Sequence, residues 1–114
     1  MTETFVNFLK SFGYPVRLRG YLMDADITDT PIILWEETDS ESCMEYSNST
    51  TGILWTWTVH IITRSPMESI KIAKKMRTDS LYKPFAFQGL GSGYPITGTD
   101  LYGRQLRFQA IERI

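Results

Sequence analysis

In 114 residues the chain carries a single cysteine, Cys43, and a single histidine, His60. One cysteine makes no internal disulfide and no CxxC zinc clamp, so packing alone is expected to hold the fold, in a reducing interior. No apolar run has the length of a membrane span. The opening MTETFVNFLKSFGYP puts an acid ahead of its apolar residues and lacks a basic n-region, unlike a secretory leader. Without that leader, the sequon Asn48-Ser49-Thr50 reads as loop chemistry. The net charge of −1 leaves no basic excess of the kind a dedicated nucleic-acid binder carries. The chain also lacks any lysine or arginine from Gly20 to Thr63, a stretch that holds eight acids: Asp24, Asp26, Asp29, Glu36, Glu37, Asp39, Glu41 and Glu45.

Motifs that would carry chemistry come close and then fail. His60 lies in mid-strand with no nucleophile beside it in sequence and no Gly-x-Ser-x-Gly elbow anywhere, so a structural or surface role is expected. Asp24-x-Asp26-x-x-Asp29 begins like a calcium loop, but Asp29 and Trp35 stand where glycine and glutamate are needed. Gly89 to Pro95, GLGSGYP, brings its third glycine one residue early for a dinucleotide fingerprint and precedes no helix; it reads as a turn between strands. No catalytic residue, metal site or cofactor is therefore expected.

What is present is ordinary globular material, 42% hydrophobic and 22% charged, of a length that makes one domain, 1–114. Phe5, Phe8, Leu9 and Phe12 form one helical stripe, with Thr2 or Thr4 to cap its start and Gly13 to end it. Residues 16–22 alternate as a first strand, and Pro31 to Glu37 reads as a second. Residues 38–51 are polar throughout, either a long loop or the tip of an extended hairpin. In ILWTWTVHII, residues 53–62, Ile53, Trp55, Trp57, Val59 and Ile61 face one way and Leu54, Thr56, Thr58, His60 and Ile62 the other. This is the expected central strand, with its tryptophan face toward the helices. Ser65-Pro66-Met67-Glu68 has the form of a capping box. It opens a helix ending near Asp79–Ser80, with Met67, Ile70, Ala73, Met76 and Ile72 inward and Lys71, Lys74, Lys75 and Arg77 as a basic outer flank. Strands at 85–87 and 105–110 close the chain around the glycine-rich connection. The sum is an α+β domain, two helices on a mixed or antiparallel sheet of about five strands, in the order α-β-β-β-α-β-β.

The acidic segment and the basic flank can be plain solvated surface, or complementary surfaces that steer association. In layout the chain resembles the tail terminator, or tail-to-head joining, proteins of long-tailed phages, which are also described as tail completion or minor capsid proteins. The likeness rests on YPVRLRGYL after the first helix, the proline-led PIILWEE, the polar loop, a strand running into SPMESIKIAKKMRTDSL, then KPFAFQG and a closing GRQLRFQA. The insertion GLGSGYPITG has no counterpart in that pattern. The resemblance implies a non-enzymatic virion part, also found in prophages and assembled in the bacterial cytoplasm. Six copies would form a ring on the tail tube protein and meet the head-tail connector or stopper, with no sequence-specific nucleic acid and no membrane. The eight acids and Lys71, Lys74, Lys75 and Arg77 are then the candidate interface. The alternatives are a head-completion or connector-stopper protein of the same neck, or a small ligand-binding domain with a pocket lined by Trp55, Trp57 and Tyr94.

Overall fold

The computed structural model describes residues 1–19, 30–44, 50–89 and 91–113. Its elements are α1 (Thr2–Lys10), β1 (Val16–Leu18), β2 (Ile32–Met44), β3 (Thr50–Thr63), α2 (Pro66–Ser80), β4 (Ala86–Phe87), β5 (Ser92–Pro95) and β6 (Tyr102–Arg113). The strands form one mixed sheet in the order β1-β2-β3-β6-β4, with β5 also on β6. Only β1 pairs in parallel; every other pair is antiparallel. The expected α+β class holds, with one strand more than the sequence suggested.

That extra strand comes from the glycine-rich connection. β4 and β5 lie one after the other along the same edge of β6, facing Phe108–Gln109 and Tyr102–Gln105. The residues between them bulge out, and the chain returns at Gly91, where a β-carbon would sit 1.5 Å from the Gln105 carbonyl oxygen. Glycine is required there by close backbone approach, as well as by a φ of +67°. The polar 38–51 segment resolves in favour of the hairpin, since β2 and β3 stay paired out to Met44 and Thr50. Side chains of residues 39–44 are not among those described.

Both faces of β3 are covered, by different means. On the helix face Trp57, Val59 and Ile61 are fully buried beneath Phe5, Phe8, Leu9, Phe12, Ile72, Ala73 and Met76. Phe5 stacks on Trp57 at 4.4 Å between ring centroids, and Phe85 and Phe108 close around it at 5.2 and 5.4 Å. Each of these large side chains contributes on the order of 1.5–3 kcal/mol by leaving water. On the other face a smaller cluster, Ile32, Leu34, Ile62, Ile96 and Leu101, is roofed by the turn after β5, with Tyr94 against it.

Two details of the helices differ from expectation. Neither helix has a side-chain cap at its start. Thr2 instead accepts a hydrogen bond from Trp57 Nε1 at 3.3 Å. At α2, Thr63 Oγ1 accepts the Ser65 backbone N–H and donates to the Ser65 carbonyl, so the amide that Glu68 would reach in a capping box is already taken. The buried face of α2 is Ser69, Ile72, Ala73, Met76 and Ser80, whereas Met67 is 72% exposed and Ile70 half-buried. The helix is turned so that Ser69 Oγ meets Arg104 Nε of β6 at 3.2 Å, and this rotates Met67 outward.

Phe5→Ala is expected to lower unfolding free energy by about 3–5 kcal/mol, because the ring is fully enclosed between Trp57, Phe85 and Phe108. Met67→Ala should change it by no more than about 0.5 kcal/mol. Urea titration of the two variants checks the contrast.

Candidate functional site

The residues that sequence pattern marks as an interface fall on separate parts of the subunit. Lys71, Lys74, Lys75 and Arg77 all lie exposed on the outer side of α2. Among the described residues none of them has a carboxylate within 4.0 Å; the ion pairs found are Met1–Glu112, His60–Glu36 and Arg64–Asp100. Lys75 leans over the Phe12 ring at 5.9 Å, a cation–π contact that leaves the other three charges to solvent. Glu37 is exposed on β2. Asp39 and Glu41 follow on the same strand, in register with Thr56 and Leu54. Asp24, Asp26, Asp29 and Glu45 lie outside the described residues. Acids and bases are thus held apart within one subunit, as a self-complementary surface requires.

Glu36 has a second attachment. It shares the sheet face opposite the helices with His60, which is 6% exposed. His60 Nδ1 lies 2.9 Å from the Tyr94 hydroxyl, and Nε2 lies 3.5 Å from Glu36 Oε1, too far and too poorly aligned for a full hydrogen bond. A carboxylate only accepts, so the neutral ring carries its proton on Nε2 and Nδ1 accepts from Tyr94. Burial holds the imidazole below its ordinary value of 6.5, and the Arg19 charge adds to this; Glu36 partly offsets both. The histidine is structural, a pin between the central strand and the β5 hairpin. The Tyr94 ring lies flat on Gly103, where a β-carbon would come within 2.4 Å of it. The joining of His60 to Glu36 was legible in principle, since Leu34 pairs with His60 and Glu36 is the next residue on that face.

No shared pocket is formed by Trp55, Trp57 and Tyr94. Trp57 is fully buried on the helix face with Trp55 stacked beside it, while Tyr94 lies across the sheet. The hollows that do exist are open and peripheral. One of about 450 Å³ lies beneath Leu81 at the end of α2, among Arg77, Lys83 and Phe85. Leu81 and Tyr82 beside it are 74% and 88% exposed, an apolar corner that sequence pattern missed because it lies just past the helix. Among the described residues no three His, Cys, Asp or Glu side chains converge as a metal set. No described helix is long and apolar enough to cross a membrane.

No family model matches the chain, and no curated protein matches it significantly.

Because the unfolded chain binds the His60 proton more readily than the folded one, stability should be level above about pH 7 and fall as pH drops through 6.5 toward the lower folded value. The slope for one group does not exceed about 1.4 kcal/mol per pH unit. His60→Gln should flatten it, as read from urea midpoints between about pH 5 and about pH 7.5. Gly103→Ala should displace Tyr94 and destabilise by about 1–3 kcal/mol, with loss of amide-exchange protection confined to β5 and the following turn.

Proposed function

We propose that the protein is a non-enzymatic structural part of a phage or prophage neck, a ring of identical subunits that caps the tail tube and meets the connector beneath the head. The observation that carries this reading is the separation of charge. The α2 flank Lys71, Lys74 and Arg77 has no acidic partner among the described residues, and the acids of β2 lie across the sheet from it. A patch and its complement on opposite sides of one subunit favour head-to-tail contact between copies. The resemblance in layout supplies the context: six copies on the tube, bound by tube protein on one side and connector or stopper on the other. Acids that reach the bore of such a ring would repel phosphate and let DNA slide past. The place of assembly would be the bacterial cytoplasm, and the final location the virion.

The test uses growing tail tubes. Added protein should arrest elongation and appear as a ring at the tube end by negative-stain microscopy. Lys71→Glu with Lys74→Glu should weaken capping by about tenfold, roughly 1.4 kcal/mol, and wild-type capping should weaken as salt is raised. Binding to connector rings but not to tubes would move the protein to the stopper position. Binding to neither would end the reading.

A further inference from the structure

The geometry points to a strand-to-strand junction between copies of this chain, in which the open edge of β2 on one copy pairs in parallel with the open end of β6 on the next. Three observations carry it. β1 pairs only with Ile33–Trp35, so the outer edge of β2 from Glu36 to Met44 has no backbone partner among the described residues. On the far side of the sheet β5 and β4 cover β6 only as far as Gln109, which leaves Ala110 to Arg113 open in the same sense. Beside that open stretch is an apolar notch of about 390 Å³, formed by Leu54, Pro84, Ala86, Gln109, Ala110 and Ile111, with Ile111 58% exposed at its rim.

The two edges match in height and direction. Cys43, Gly52 and Arg113 stand in line across the sheet, so a neighbour that continues the sheet sideways brings its Cys43 end beside Arg113 with little shift along the strands. β2 and β6 are each antiparallel to β3 and hence run the same way, which makes the new pair parallel. The end of β2, Cys43-Met44, is the apolar close of an acidic run and fits the apolar notch.

Charge selects the partner. A long open edge ordinarily pairs with its own copy about a two-fold, but that would set Glu36, Glu37, Asp39 and Glu41 against the same acids, and like charges across a strand pair are unfavourable. The β6 side offers Arg107 and Arg113, with Lys83 leading into β4 and the basic flank of α2 on the helix face above it. A β2-to-β6 junction is therefore heterologous, and repeated copies either close into a ring or run on as a filament. The inference rests on the ring reading only for closure.

Cys43, the sole cysteine, makes the test direct. Ile111→Cys and Arg113→Cys chains that retain Cys43 are oxidised at high concentration and run without reductant. A ladder of covalent dimers, trimers and larger species is expected, because each copy then carries one cysteine per edge. Thr97→Cys, on an exposed turn, should give no ladder, and adding Cys43→Ser to Ile111→Cys should stop the ladder at dimers. Glu37→Lys with Asp39→Lys should abolish it in a chain that still unfolds cooperatively. Wild-type Cys43–Cys43 dimers in place of the ladder, or folded chains that stay monomeric, would overturn the junction and show that the acids only guard the edge. Rings by native mass spectrometry without the cross-link would also overturn it while leaving the ring reading standing. A ladder from protein that caps no tube would support the junction and sink the ring reading.

Discussion

The contact on which the fold turns is the stack of Phe5 on Trp57. It ties the first helix to the middle of the sheet across more than fifty residues of chain, and it does so with two side chains that are wholly out of water. Phe85 and Phe108 then pack edge-on or tilted against the same pair, so both closing strands are keyed to one aromatic centre. Offset and edge-to-face rings add about 0.5–1.5 kcal/mol each beyond the area they bury. Strand β6 is positioned by this cluster, and with it the edge that β4 and β5 partly cover. The surfaces available to a partner are consequences of where that cluster places β6.

The opposite face of the sheet is organised by weaker means. There the roof is a short hairpin, held by a small apolar cluster and by the Tyr94 hydroxyl on His60. Burial that keeps the imidazole neutral also keeps it a hydrogen-bond acceptor at Nδ1, so one desolvated ring serves as a latch for β5. Glu36 beside it is half-buried and therefore only partly available to a second molecule. Of the acids on β2, Glu37 is the one whose side chain is described as exposed.

Much of this was legible from periodicity, and the parts that were not share a cause. Strict alternation in residues 53–62 placed both faces of β3, and the stripe Phe5, Phe8, Leu9, Phe12 placed α1, because local spacing alone decides which side chains face the core. The inward face of α2 was misjudged at Met67 and Ile70, since the helix is rotated by a polar contact, Ser69 to Arg104, that hydrophobic pattern does not register. The apparent capping box was displaced by Thr63, a residue before the motif. The strand β5 was hidden inside what looked like a flexible turn. Its glycines mark close approach of backbone or tyrosine ring rather than freedom: Gly91 meets the Gln105 carbonyl, and Gly93 and Gly103 lie under Tyr102 and Tyr94. Each of these depends on a partner distant in sequence. The same holds for the open edges, which exist only by comparison of strand lengths once the pairing is known.

Strand length also bears on the separation of charge. β2 and β3 run well past the point where β1 and α2 cease to touch them, and the molecule is drawn out to 53 Å along one axis against 28 and 22 Å on the others. A long paired arm with one uncovered edge is costly for a protein that must stay dispersed, because that edge is a template for indiscriminate pairing. Acids along β2 with no intervening base remove the self-pairing route and leave only edges of opposite charge as partners. The same composition that looked like a solvated loop in isolation thus acts, on a strand, as a filter on which copy can bind and in which direction. A chain selected only to remain monomeric could have shortened β2 to the length of β1; keeping the arm long and acidic is what a head-to-tail assembly needs.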